Sequence, residues 1–240
     1  MVFENSYGND ERAASYARLE FSGTYYLAYR DLPGIIGRQV RGNRAVDFGC
    51  GTGRSTRFLR SLGFDAIGID VSEAMIHKAR ELDPDGDYRI VTDGDYDEVG
   101  AGRHDLLLSV FTFDNIPGAD RRTRLLGRLK RRLNGGGRII LLDATPELYG
   151  RDWASFTTSV FPENKSPRSG DIVKTIIEGI GDRRPVEDIF WTDADYREMF
   201  RIAGLELLET HRPLAHQGEP YAWVNETTVA PWVIYVLRPQ

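Results

Sequence analysis

Apolar positions fall along the chain in two alternating rhythms: short runs of aliphatic and β-branched residues, and stretches in which apolar residues return at helical spacing. Residues 44–48 and 65–69 are the first two runs, with a helical pattern over 54–62 between them. Strand, helix, strand in that order predicts a parallel pair joined by a crossover helix. The alternation continues with a helix over 74–82, an extended segment at 87–91, a strongly apolar strand at 105–110, a helix over 120–133 and a strand at 138–142. It resumes later with a helix near 193–203 and strands at 205–210 and 232–237, and residues 9–30 read as helical before the first strand. Runs such as 106–110 and 139–142 are apolar without alternation, which requires helices on both faces of the sheet. The pattern predicts an α/β fold, a doubly wound sheet of seven strands.

Residues 144–191 break this rhythm. They are rich in Pro, Asn and Ser and then offer two apolar runs, 172–180 and 186–191, around Gly181 to Pro185. The reading is a loop and a hairpin inserted after the fifth strand, lying over the top of the sheet. Together with a helical segment over 1–43, this insertion is expected to form a lid, all within one domain spanning 1–240.

Composition narrows the class. With 41% hydrophobic and 28% charged residues the chain reads as globular, and a domain of this length buries roughly 70–75% of its unfolded surface without staples. The single cysteine excludes a disulfide framework and any multi-cysteine metal site, and suits a reducing, cytoplasmic location. No apolar run approaches the roughly 18 residues of a membrane span, and the first residues lack a basic-then-apolar leader pattern. The net charge of −5 is uneven: residues 1–143 hold 21 basic and 21 acidic side chains, and the remainder 10 and 15. That balance gives no electrostatic reason to bind nucleic acid and favours a neutral or cationic ligand over an anionic one. Residues 121–132 do carry seven Arg or Lys, but Leu125, Leu126, Leu129 and Leu133 recur at helical spacing, so the basic groups are expected on a solvated helix face.

Of the 25 glycines, three crowd into one turn. The first strand ends in Asp47-Phe48-Gly49-Cys50-Gly51-Thr52-Gly53-Arg54, directly before a helix, where glycine lets the backbone turn tightly and approach a ligand. Asp70 ends the second strand, placed to accept hydrogen bonds from ribose hydroxyls. Dinucleotide and adenosyl cofactors both use such a carboxylate. The dinucleotide fingerprint wants Gly or Ala where Arg54 stands, and Asp47 beside the loop suits an ammonium better than a diphosphate.

Through Val46-Asp47-Phe48-Gly49-Cys50-Gly51-Thr52-Gly53 the chain resembles the class I S-adenosylmethionine-dependent methyltransferases, over residues 44–144 and again in the last helix and strands. The resemblance implies a Rossmann-like, mostly parallel sheet whose final strand, 232–237, is antiparallel. It implies that Asp47, Gly49, Cys50, Gly51 and Gly53 surround the methionine part of the cofactor, that Asp70 binds ribose, and that Asp93 and Gly94 contact adenine. Val71 and Met75 would flank the adenine, and Ser109, Val110 and Phe111 the methyl donor. The reaction implied is direct displacement at an already activated methyl group, for which positioning matters most, so no catalytic residue is assigned. Two alternatives stay open: a binding protein without transfer chemistry, and a nicotinamide-dependent oxidoreductase.

The acceptor is expected to be a small metabolite, methylated on O, N or C. Tyr7, Tyr16, Phe111, Phe113, Trp153, Phe156, Tyr221 and Trp223 would converge over the methyl group, about half of them only packing the insertion. Asp114 and Asn115 follow the fourth strand and Asp143 ends the fifth, where ligands bind in such sheets. A metal there is not expected, because the order is reversed from that of the metal-dependent O-methyltransferases; substrate hydrogen bonding or loop capping is the reading preferred. Cys50 is read as a small buried residue and His77 and His104 as structural or solvated, with His211 or His216 the candidate proton acceptors. Asn164, Lys165, Asn225 and Glu226 are candidates to orient the acceptor from long loops. The Pro-Pro-aromatic signature of nucleic-acid amino methylation is absent. The inserted hairpin offers a surface through which a homodimer would form.

Overall fold

A computed structural model describes residues 10–92, 95–96 and 99–240. Three helices precede the sheet: α1 (Asp10–Tyr16), α2 (Thr24–Arg30) and α3 (Leu32–Gln39). The helical stretch expected over 9–30 is thus two helices, separated by a turn that ends at Gly23 with φ 59°. The third helix was hidden by Pro33, Gly34 and Gly37, poor helix formers in sequence. Pro33 is tolerated because it sits in the first turn, where a missing N–H leaves no bond unmade.

The apolar runs become β1 (Arg44–Phe48), β2 (Asp65–Asp70), β3 (Asp87–Ile90), β4 (His104–Val110) and β5 (Leu133–Ala144), linked through α4 (Arg54–Ser61), α5 (Glu73–Leu82) and α6 (Ala119–Lys130). An insertion follows with β6 (Phe156–Thr157), β7 (Ile172–Ile177) and β8 (Val186–Ile189). The chain closes with α7 (Asp193–Ile202), β9 (Leu205–His211) and β10 (Trp232–Pro239). Seven strands form one sheet in the order β3-β2-β1-β4-β5-β10-β9. The pairs from β3 to β5 are parallel, and β10 runs antiparallel to both its neighbours.

Strand periodicity divides the central strands between two cores. Leu106, Leu108, Ile140, Leu142, Ile234 and Val236 pack with α2, α3 and the insertion. Leu107, Ile139, Leu141, Val233 and Tyr235 pack with α6 and α7 on the other face. Each central strand is therefore buried on both sides, as its unbroken apolar run requires.

β5 begins five residues earlier than its apolar run suggests. His104 pairs with Leu133 and Leu106 with Arg138, so the strand bulges through Gly135–Gly137. At Gly137 a Cβ would stand 3.0 Å from the His104 carbonyl oxygen, which fixes glycine there. The inserted hairpin forms as expected, β7 pairing with β8, and β6 adds a third strand. β8 packs against the 3-10 turn Phe113–Asn115 that follows β4, which brings the insertion to the carboxyl edge of the sheet. Among the described residues no helix is long and apolar enough to cross a membrane.

Candidate active site

The site grows out of the β1–α4 turn. Gly49, Gly51 and Gly53 have φ of 71°, 52° and 82°, a region that side-chain-bearing residues avoid. At Gly49 a Cβ would strike the Thr112 side chain at 2.3 Å, whereas at Gly51 nothing lies closer than 4.0 Å. Gly49 is thus required by packing, and Gly51 leaves open space. The turn is pinned to β2 by Gly49 and Cys50 N–H groups that both donate to the Ile69 carbonyl, at 2.9 and 3.0 Å.

Asp70, at the end of β2, is oriented by two backbone amides. Gly51 N–H donates to its Oδ2 at 2.9 Å and Ser72 N–H to its Oδ1 at 2.8 Å. Burial pushes its carboxyl above the ordinary value, and these amides pull it back. Asp47 lies deeper, fully buried, with Oδ2 accepting from the Ser55 and Thr56 hydroxyls at 2.7 and 2.6 Å. Burial pushes Asp47 up to about 6 despite these two donors.

A cavity of about 280 Å³ lies against this loop. Gly49, Cys50, Gly51, Asp70, Val71, Met75, Val110 and Phe111 from the expected cofactor set line it, with Tyr16 and Asn115 from the expected acceptor set. Arg54 also lines it, only 6% exposed. Its guanidinium donates to the Glu20 carbonyl at 3.2 Å and lies 4.9 Å from the Tyr25 ring centre and 5.5 Å from that of Tyr29. It has no carboxylate ion pair among the described residues, so a buried cation faces the cavity without an anion.

A second cavity of about 50 Å³ shares Tyr16, Phe111 and Asn115 with the first. Its walls include Tyr25, Tyr149, Phe156 and Trp232, and its polar groups are Asp114, Asn115, Thr175 and Asp188. Phe111 stands between the two with φ 54°, the one non-glycine residue with positive φ among those described. Such a conformation costs of order 1–3 kcal/mol. It persists because Phe111 N–H donates to the Leu142 carbonyl at 2.8 Å and its ring packs 4.5 Å from that of Trp232. Asn115 Nδ2 donates to Asp114 Oδ1 at 2.9 Å.

Comparisons with known proteins agree with this geometry. The family described as "Methyltransferase domain" matches residues 46–141, from β1 into β5. The chain is 26% identical to N-demethylindolmycin N-methyltransferase of Streptomyces griseus, over 70% of this chain and 72% of that one. It is 29% identical to cypemycin N-terminal methyltransferase of a Streptomyces species, over 77% and 80%. These matches support a class I S-adenosylmethionine-dependent methyltransferase. Among solved structures, the CcbJ methyltransferase from Streptomyces caelestis shares the fold with a TM-score of 0.64 at 19% identity, covering 89% of this chain and 96% of that one.

The cofactor of this methyltransferase is S-adenosylmethionine, a cation with a carboxylate tail, a ribose and an adenine. The larger cavity offers a matching set: an unpaired buried guanidinium, a carboxylate fixed by backbone amides, and apolar walls from Val71, Met75 and Val91.

Several expected site residues stand elsewhere. Asp47 and Gly53 lie behind the loop, the first held by α4 hydroxyls and the second packed under the Tyr88 hydroxyl. Ser109 is buried in β4 and lines neither cavity. Phe113 is buried against Phe48, and Trp153 donates its Nε1 to the Leu148 carbonyl at 2.9 Å. Tyr221 and Trp223 pack on each other, Tyr221 also on Tyr26, away from both cavities. Tyr7, Asp93 and Gly94 lie outside the described residues. Neither His211, paired with Glu209 at 2.6 Å, nor His216 lines a cavity. Burial pushes the Cys50 thiol well up, which suits a small wall residue rather than a nucleophile.

Two of the loop candidates, Asn164 and Glu226, are clamps. Asn164 spans the insertion, donating to the Thr158 and Lys174 carbonyls and accepting from Lys174 N–H. Glu226, fully buried, accepts from the Thr24 hydroxyl and from the N–H groups of Ala154, Val224 and Asn225. Asp143 is also sealed off, 1% exposed and near Arg122, which itself is 1% exposed between Trp191 and Tyr196. One of the basic groups assigned to the solvated face of α6 thus turns inward. Arg54, Thr112 and Asp188 are the site residues that sequence reading missed. Arg54 had a signal, a cation at a helix start with no acid nearby, whereas Asp188 sits in a strand with no local mark.

Proposed function

We propose that this methyltransferase transfers a methyl group from S-adenosylmethionine to a small organic acceptor, most favourably on nitrogen. The observation that carries the reading is the pair of adjoining cavities, one against the glycine loop and one walled by aromatic rings, with Tyr16, Phe111 and Asn115 common to both. An enclosed apolar pocket with few polar groups is suited to a small molecule rather than to a polymer strand. Two relatives named above as an N-methyltransferase and an N-terminal methyltransferase support nitrogen as the acceptor atom.

When bound, the cofactor supplies a sulfonium-activated methyl group. Arg54 would hold its carboxylate, Asp70 its ribose hydroxyls, Gly51 would permit close approach of the backbone, and Val71 and Met75 would flank the adenine. Asp47 would act by fixing the loop through Ser55 and Thr56. Segment 1–43 and insertion 144–191 would cover the two cavities as parts of a single domain. Tyr16 of α1 and Thr175, Val186 and Asp188 of the insertion, all lining the smaller cavity, support that role. The single buried thiol suits a cytoplasmic location. Pairing of two copies through the β7–β8 hairpin is a separate proposal, which a monomer in sedimentation at micromolar concentration would overturn.

Incubation of the purified chain with labelled-methyl cofactor and a metabolite extract tests the reading. Label is expected in a compound of low molecular mass, identified by mass spectrometry. An unlabelled extract, or label confined to RNA or protein, sinks it.

A further inference from the structure

We propose that Asp114 and Asp188 form a recognition site for an ammonium group on the acceptor, with Asn115 between them and aromatic rings as its walls. This rests on the smaller cavity being the acceptor's seat. The two carboxylates come from distant parts of the chain, one from the turn after β4 and one from β8, and meet only because the insertion packs on that turn. Asn115 steadies both: its amide donates to Asp114 Oδ1 at 2.9 Å, and its nearness favours the charged form of Asp188. Its own Oδ1 is buried without a hydrogen-bond partner at the junction of the two cavities.

Two other carboxylates of this protein are satisfied where they stand. Glu226 collects four donors, and Asp70 is held by backbone amides. Asp114, 7% exposed with the sealed-off Arg122 as its nearby cation, and Asp188 form no ion pair among the described residues, yet both line the smaller cavity. Burying carboxylates without a cation is costly, and an entering ammonium removes that cost. Burial pushes Asp114 up to about 6, against the pull of the nearby Arg122 guanidinium, and pushes Asp188 well above the ordinary range, where the charge of Asp114 adds to the rise. The rings of Tyr25, Phe111, Tyr149 and Trp232 present faces and edges to the same space, and aromatic faces attract a cation. A neutral hydroxyl or an anion would gain from neither feature.

The pair also answers a chemical need, because an ammonium has no lone pair to share. One N–H bond breaks as its proton passes to a carboxylate oxygen, where an O–H bond forms. Cation and carboxylate become neutral amine and neutral acid, leaving the lone pair that methyl transfer requires.

The test uses the chain saturated with S-adenosylhomocysteine at pH 7 and three probes of one shape: benzylamine, benzyl alcohol and benzoate. Calorimetry is expected to show benzylamine binding at least about tenfold more tightly than the alcohol, with benzoate undetected. Asp188→Asn and Asp114→Asn, near-isosteric changes, are each expected to abolish that preference while S-adenosylhomocysteine affinity stays within about twofold. Equal binding of benzylamine and benzyl alcohol, or a preference that survives both substitutions, overturns the ammonium site. Failure of the wild-type chain to bind S-adenosylhomocysteine overturns instead the methyl-transfer reading beneath it.

Discussion

Under the proposed function Arg54 and Asp70 would divide the work of holding the cofactor by charge: one faces the cavity as a buried cation with no carboxylate ion pair among the described residues, the other as a carboxylate already aimed by Gly51 and Ser72 amides. Asp70→Ala is expected to weaken S-adenosylhomocysteine binding by about 10- to 100-fold, the worth of hydrogen bonds to a charged group. Arg54→Met is expected to weaken it by a similar factor while leaving methylthioadenosine, which lacks the amino-acid tail, unaffected. Calorimetry with both ligands checks this, and equal losses would remove Arg54 from the carboxylate. Asp47 makes a different demonstration. Its folded pKa of about 6 exceeds the ordinary carboxyl value of 3.8, so the native state binds the extra proton between those values. The stability this group confers is present in acid and is lost as pH rises through about 6. Asp47→Asn keeps an acceptor for Ser55 and Thr56, and urea unfolding from pH 4 to 7 is expected to show wild type losing stability relative to the variant. A constant difference would contradict the assignment.

The elements that make the site are the ones whose sequence carries turn chemistry. The β1–α4 glycine loop was readable because positive φ at three positions demands glycine whatever surrounds it. α3 was not, because its stability comes from Leu32, Ile35 and Ile36 buried against the sheet rather than from helix propensity. The bulge in β5 escaped for a similar reason: Gly135–Gly137 lie before the apolar run at 138–142, and only the pairing with β4 makes them part of the strand. The insertion is fastened by Glu226, whose carboxylate joins the start of α2, the segment before β6 and the loop before β10. Glu226→Ala should cost about 3 kcal/mol or more by leaving several buried donors unpaired. Thermal unfolding measures it, and an unchanged midpoint would show that the segments are held by apolar packing alone.

Across the described residues, the larger cavity lies against the glycine loop and the smaller one between the sheet and the insertion. Tyr16 of α1 lines both cavities. Binding of S-adenosylhomocysteine is therefore expected to slow amide exchange in residues 10–16 as well as in the glycine loop. Exchange unchanged in α1 would set aside its role as part of a lid. The sequence by itself determined the doubly wound sheet, the position of the glycine loop and the acid at the end of β2. These depend on periodicity and on backbone conformations that few residues adopt, both of which are local. Only the tertiary structure decided which loop residues reach a cavity and which are clamps. It turned Arg122 inward between Trp191 and Tyr196, sent Glu226 into the core, and kept Tyr221 and Trp223 away from the site. It also set Asp188 opposite Asp114 across 74 positions of sequence. Whether a polar side chain is a ligand or a strut depends on how many of its hydrogen bonds the rest of the fold satisfies, and those partners lie far away in sequence.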